Sequence, residues 1–357
     1  MWLQLVHLDL LDPLIAREVL AEHVLVGSTT RSARSVAEAT GAELDRSAGL
    51  PDTRLGYCFV VSADVVVVGQ VARDLVLTVA DAPGAGESAP VRSRREVLGG
   101  KGANQAVGLA QLGVSPALVG VVGEDRTGEW LCDQAVADEV DVTHVVRRRG
   151  AETALIVDVV DASGRWRYLE HVPGEMLVTE RDVFAASSPI TAADSVIVQL
   201  QQPSAAAVEA ARLARAAGTQ VVLDGAPGKG WHGELLACAD IVRADAREAE
   251  QWAGGRIRGV RESVTAGVDL LARGPELVVL EVAGQGNVFV SRAGYEFLPL
   301  LDTEVVDTTG SGDALVAALT AALLSGEHLR GAARVAVAAA AATASHPGGR
   351  PNLAHRL

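Results

Sequence analysis

The chain has 357 residues, a formal charge of −14, 49% hydrophobic residues and 3% aromatic ones. That size and apolar fraction fit one large globular domain, or one with an appendage, with a core of Val, Leu and Ala. The acidic balance argues against a nucleic-acid surface, so an anionic ligand would need positive potential gathered locally.

Cys58, Cys132 and Cys238 are scattered, without metal-ligand spacing, and fit a reducing cytoplasm. Residues 1–15 are apolar but have no basic start, and Asp9, Asp12 and Pro13 interrupt them, so no export signal is expected. Residues 14–25 and 32–44 read as short helices, the second carrying Gly41, with a linker over 47–53. Such a pair suggests a degenerate helix-turn-helix or a docking segment. A slight excess of acid over base speaks against DNA, because phosphate contact needs a basic face.

From Asp64 the pattern becomes regular. Residues 65–68 form an apolar run ending at Gly69, as in a buried parallel strand. Asp74 follows just beyond the carboxyl end of that strand, where ligands of open α/β sheets bind. Residues 75–79, 91–98, 153–160 and 166–171 read as four short strands outside the strand–helix rhythm. The alternation in 165–170 suggests a half-exposed sheet, suited to a lid and to pairing with a second copy. The stretch Leu98-Gly99-Gly100-Lys101-Gly102-Ala103-Asn104-Gln105-Ala106 opens a helix running to Gly113. Small residues there let the backbone approach a hydroxyl-rich ligand, while Lys101 and Asn104 supply donors and an acceptor. A merely flexible helix start would look the same.

Strands at 117–122, 195–200, 220–223, 241–242 and 277–282 alternate with helices at 127–140 and 204–217, the latter ending at Gly218. Such repeated units predict an α/β fold whose parallel sheet is covered on both faces. The alanine run 332–344 is too short to cross a bilayer and is expected to be a buried helix.

Between these last elements an extended run at 304–306 meets Gly310-Ser311-Gly312, and a helix follows over 313–325. Successive N–H groups in such a turn, with the helix dipole, make an anion site. Asp313 beside it would repel an anion unless it takes a proton from an attacking alcohol; an acid in a helix's first turn is also ordinary dipole complementation. Leu315 stands where a dinucleotide-binding motif needs its third glycine, and no Ser or Thr follows Lys101 as a P-loop requires. The stretch 307–315 contains no hydrolase elbow either.

The two stretches Gly99-Gly100-Lys101-Gly102-Ala103-Asn104-Gln105-Ala106 and Asp307-Thr308-Thr309-Gly310-Ser311-Gly312-Asp313 together resemble the paired signatures of the ribokinase-like (PfkB) family of carbohydrate kinases. The resemblance spans about 64–352. It implies a three-layer fold with a mostly parallel central sheet flanked by helices, plus a small β lid from about 75–98 and 153–171. The kinase domain would be 63–357, with 1–62 an extension of unknown role. The lid often serves this family as a homodimer interface.

It further implies transfer of the γ-phosphate of ATP to a sugar hydroxyl, D-ribose first, with Asp313 as general base. The backbone of Gly310, Ser311 and Gly312 would hold the phosphoryl group. Asp74, Gly100, Lys101, Gly102, Ala103 and Asn104 would bind the sugar. Asp245, Glu248, Glu281, Gly284 and Gly286, with Gly312, would serve the nucleotide and Mg²⁺. Asp307, the Thr309 carbonyl, Thr343 and the loop bearing His346, Gly348 and Asn352 would hold K⁺. Four positions depart from the pattern: Ala72 replaces an asparagine, Arg165 aligns with a sugar-binding glutamate, Asp245 replaces an asparagine, and Glu281 replaces a threonine or serine. They leave open another pentose, a nucleoside, a sugar phosphate, or a non-catalytic sugar sensor using 1–62 as its output.

Overall fold

The computed structural model describes residues 63–353, Gly164 excepted. The expected helices at 14–25 and 32–44, their linker and the helix-turn-helix reading lie outside the described residues.

Four consecutive valines make β1 (Val65–Val68), which is buried on both faces and flanked by parallel strands. Its neighbours are β4 (Pro116–Gly123), bearing β5 (Val145–Arg148) at its far side, and β8 (Ser195–Gln199). Beyond β8 lie β9 (Gln220–Asp224), β10 (Ile241–Ala244) and β11 (Leu277–Val282), all parallel. An antiparallel hairpin, β12 (Gly286–Ser291) and β13 (Gly294–Pro299), closes that edge. The order is β13-β12-β11-β10-β9-β8-β1-β4-β5.

Alternation along β1 separates the two helical layers. Val65 and Val67 pack with α1 (Lys101–Gln111), α2 (Arg126–Ala137), α9 (Ser311–Leu324) and α10 (Leu329–Ala344). Val66 and Val68 face a second core that includes α3 (Glu180–Ala185), α4 (Ser187–Ala192), α5 (Ser204–Ala217), α6 (His232–Cys238), α7 (Ala246–Ala253) and α8 (Val260–Leu271). Helix α5 ends at Gly218 in the left-handed conformation, as expected. The alanine run lies in α10, which buries Ala332, Ala336 and Ala339, and no described helix is long and apolar enough to cross a membrane.

The four strands outside the rhythm form a separate sheet in the order β3-β2-β6-β7: β2 (Ala72–Val79), β3 (Val91–Gly99), β6 (Leu155–Val160) and β7 (Trp166–His171). Strand β2 begins at Ala72 rather than 75. Asp74 therefore sits within a strand, opposite Val97 and Ile156, because only Gly69, Gln70 and Val71 separate it from β1. Residues 304–306 belong to no strand. Val306 and Asp307 donate their N–H groups to the Ala344 carbonyl, which pins the segment to the end of α10. The sequence reading did not anticipate β5, α3, α4, α6, α8 or the β12–β13 hairpin.

Candidate active site

Helix α9 starts at Gly310, whose φ of 71° is left-handed. A Cβ on Gly310 would lie 2.5 Å from the Gly349 carbonyl carbon, so glycine alone lets the 346–350 loop lie across the turn. The helix dipole and its first N–H groups give this helix start the capacity to receive an anion. Asp313, one turn in, is only 4% exposed. Its Oδ2 accepts from Asn104 Nδ2 at 3.0 Å and its Oδ1 from Gln105 Nε2 at 3.3 Å. Gln105 Nε2 also donates to Asp224 at 2.8 Å, and Arg243 donates to the other oxygen of Asp224 at 3.0 Å. Burial, opposed by Lys101 and abetted by Asp224, pushes the Asp313 carboxyl up to about 7.

Helix α1 starts where Gly100 (φ 87°) lies against the Gln70 carbonyl, which accepts from Ala103 N at 3.1 Å. A Cβ on Gly102 would lie 2.6 Å from the Gly69 carbonyl carbon, and Ala103 belongs to the core. These two residues of the motif thus serve packing and do not line the cavity; Gly100, Lys101 and Asn104 do. Lys101 Nζ lies 3.2 Å from Glu248 Oε1.

One face of the small sheet covers this region. Register places Asp74, Ile156 and Glu170 in one row and Val76, Asp158 and Tyr168 in the next. All six line a cavity of about 290 Å³ together with Lys101, Asn104, Asp313, Gly310 and Gly312. Asp158 is 3% exposed, and neither of its carboxylate oxygens receives a hydrogen bond from any described residue. Burial pushes Asp74 and Asp158 up to about 7; the Asp158 charge adds to the first and Asp307 to the second. The Tyr168 hydroxyl is hydrogen-bonded to Thr309 Oγ1, and the Tyr168 and Trp166 rings stand 4.4 Å apart. A Cβ on Gly99 would collide with the Asp74 carboxylate.

Two expected sugar-side departures are relocated. Arg165 sits in the β6–β7 turn, paired with Asp161 and away from the cavity, so the acids this sheet presents are Asp74, Asp158 and Glu170. Ala72 is fully buried and presents nothing to a ligand.

On the other side of the cavity, Asp245 caps α7 by accepting from Arg247 N and Glu248 N, while Glu248 returns to Asp245 N at 2.8 Å. Asp245 and Glu281 line the cavity, and burial pushes the Glu281 carboxyl up. Gly284 and Gly286 do not line it. A Cβ on Gly286 would lie 2.7 Å from Pro299 Cα, so that glycine admits the neighbouring strand.

Asp307 accepts from Thr309 N at 2.9 Å, Thr309 Oγ1 at 2.6 Å and Gly348 N at 2.8 Å, tying the anion turn to the closing loop. Thr343 is buried, and its hydroxyl has no hydrogen-bond partner among the described residues. His346 and Asn352 instead line a second depression with Arg95, Gln111, Arg350 and Pro351. Among the described residues no group of three or more His, Cys, Asp or Glu is arranged to hold a metal ion directly.

The sequence reading assigned no role to Asp158, Asp224, Arg243 or Gln201, which also lines the cavity, and gave Tyr168 only a place in a lid strand. Asp224 and Arg243 had a usable signal, since a charged residue inside a buried apolar strand needs a partner or a task.

The family model for pfkB family carbohydrate kinase matches residues 62–356. The chain is 30% identical over 260 residues to the bifunctional ribokinase/ribose-5-phosphate isomerase A of Fructilactobacillus sanfranciscensis, covering 72% of this chain and 48% of that protein, about half its length. It is 30% identical over 302 residues to the ribokinase of Haemophilus influenzae, covering 82% of this chain and 95% of that one. The structure of Arabidopsis thaliana ribokinase complexed with ribose and ATP matches with a TM-score of 0.67 at 24% identity, covering 80% of this chain and 94% of that one, and shares the fold.

Proposed function

The chain belongs to the pfkB family of carbohydrate kinases and is a phosphotransferase acting on a sugar hydroxyl; from that premise we propose that it transfers the γ-phosphoryl group of ATP to D-ribose, giving ribose 5-phosphate. The observation that carries this reading is the junction at Asp313. Its carboxylate accepts from Asn104, and both line one cavity with Asp74, Lys101 and the glycine turn. The acceptor hydroxyl lies against Asp313, which takes its proton as the oxygen attacks phosphorus. Main-chain amides of Gly310 to Asp313 receive charge on the transferred group. Asp74, Lys101 and Asn104 hold the sugar, and the small sheet excludes water above it.

Glu248 and Asp245 fit a magnesium ion held through water. Both Glu248 oxygens already accept hydrogen bonds within the protein, and Mg²⁺ keeps much of its hydration shell. When bound, the ion neutralises the triphosphate. Asp307 and the buried Thr343 hydroxyl, with the Thr309 carbonyl, are the groups that would hold a potassium ion ordering the anion turn. His346 and Asn352 belong to the second depression and are left out of that set. Residues 63–357 would form the kinase domain and 1–62 its extension.

The decisive assay is acceptor-dependent ADP release across ribose, other pentoses, nucleosides and sugar phosphates, with ATP, Mg²⁺ and K⁺. Ribose should give the highest kcat/KM. A better acceptor would overturn the ribose assignment alone, whereas sugar-dependent DNA or protein binding without ADP release from any acceptor would favour the sensor.

The small sheet's other face carries Leu75, Leu77, Val157, Val159 and exposed Leu169. By register Arg73, Arg94, Glu96 and Arg167 share that face, so it is an apolar stripe among charges, and such a stripe suits pairing with a second copy. Leu169→Asp is expected to convert a dimer to a monomer in sedimentation velocity; a wild-type monomer would refute the pairing.

A further inference from the structure

We infer that Arg243 binds the phosphoryl group in flight, as an arginine supplied from within the chain to neutralise its charge, an inference that rests on the kinase reading above. The starting observation is its place in the fold. Arg243 is the third residue of β10, whose four residues are all buried, and it is 5% exposed. Desolvating a guanidinium in a strand interior is unfavourable unless partners or a ligand meet it.

Its protein partner meets only part of that need. Nη1 donates to Asp224 at 3.0 Å, while Nε is buried without a hydrogen-bond partner among the described residues. Asp224 is in turn held by Gln105 at 2.8 Å, so the guanidinium is aimed by a fixed chain of side chains. That aim is toward the anion turn: a Cβ on Gly312 would lie 2.6 Å from Nη1 and 2.8 Å from Cζ. Glycine at 312 is therefore what admits the guanidinium beside the helix start. Arg243 lines the cavity with Gly310, Gly312 and Asp313. It also supplies a countercharge to Glu281, an acid the sequence reading places against the triphosphate.

In the transfer step the acceptor oxygen forms a bond to the γ-phosphorus. The bond from that phosphorus to the β,γ-bridging oxygen breaks, ADP leaves with the electron pair, and the hydroxyl proton passes to Asp313. Charge is spread over the three peripheral oxygens of the group in flight. A planar, permanently charged fork suits those oxygens better than a point charge.

The test is calorimetric binding of ADP with aluminium fluoride, set against ADP alone, to the full-length chain with Mg²⁺ and no acceptor. The variants are Arg243→Gln, Arg243→Lys and the double variant Arg243→Gln with Asp224→Asn. The double variant matters because it strands no buried carboxylate. Wild type should prefer the fluoroaluminate complex; both variants lacking the charge should lose roughly 10²–10³-fold of that preference while binding ADP alone as before. Arg243→Lys should fall between. A double variant that keeps the wild-type preference overturns the proposal, as does a wild type with no preference. Failure of the kinase reading would show separately, as an absence of acceptor-dependent ADP release.

Discussion

Asparagine in place of Asp313 is expected to lower kcat by roughly 10²–10⁴-fold, the usual contribution of a positioned base, with KM for sugar and ATP little changed. The substitution should not unfold the protein. Asn104 and Gln105 both donate to Asp313, and the Asn104 amide oxygen has no partner among the described residues, so that amide can turn over and accept from the new side chain. The pH profile offers a second reading of the same group. Burial holds the Asp313 carboxyl up to about 7, and a base works only when ionised. In wild type, kcat/KM should therefore fall as pH drops below about 7 and level off above it; in Asp313→Asn the share of that limb due to Asp313 should disappear, leaving only what the sugar-binding Asp74, also held up to about 7, contributes. Steady-state kinetics between pH 5.5 and 9, at roughly half-unit steps, would show it. Near-wild-type turnover in the variant would remove Asp313 from the chemistry.

Alanine in place of Gly310 is expected to damage stability and activity together. The left-handed backbone alone costs an L-residue about 1–2 kcal/mol. The larger problem is steric: the new Cβ would lie 2.5 Å from the Gly349 carbonyl carbon, a backbone atom that cannot rotate aside. Relief requires the 346–350 loop to move, and Gly348 of that loop is bonded to Asp307 at 2.8 Å. The amide turn would lose its shape, with kcat down by more than about 10²-fold and a lower denaturant midpoint. A variant with wild-type midpoint and turnover would show that neither loop nor turn shapes the site.

How much of this was visible in the chain follows from the range of each interaction. The buried character of Val65–Val68 is a property of four adjacent side chains, and the strand appears as read. The anion turn is likewise local, since Gly310, Gly312 and Asp313 lie within one helical turn and their relation is dictated by helix geometry. Arg165, expected beside the sugar, stands in the β6–β7 turn outside the cavity lining. Aligning through a hairpin turn leaves register open by a residue or two, and each step exchanges the faces of the strand. The glycines divide in a similar way. Gly100 and Gly310 face the cavity, whereas Gly102 and Gly286 admit neighbouring backbone, a distinction invisible in a residue type chosen for lacking a side chain.

The chain by itself determined the α/β layering, the four-stranded side sheet and the two glycine-bearing helix starts, because each depends on residues within a few positions of one another. Only the tertiary structure decided which groups share the cavity. Gln105 meets Asp224 and Asp313 across 119 and 208 positions, and Arg243 reaches Gly312 of α9 from the interior of β10. Those meetings are set by how helices pack on the two faces of the sheet, and no local pattern of hydrophobicity carries that information.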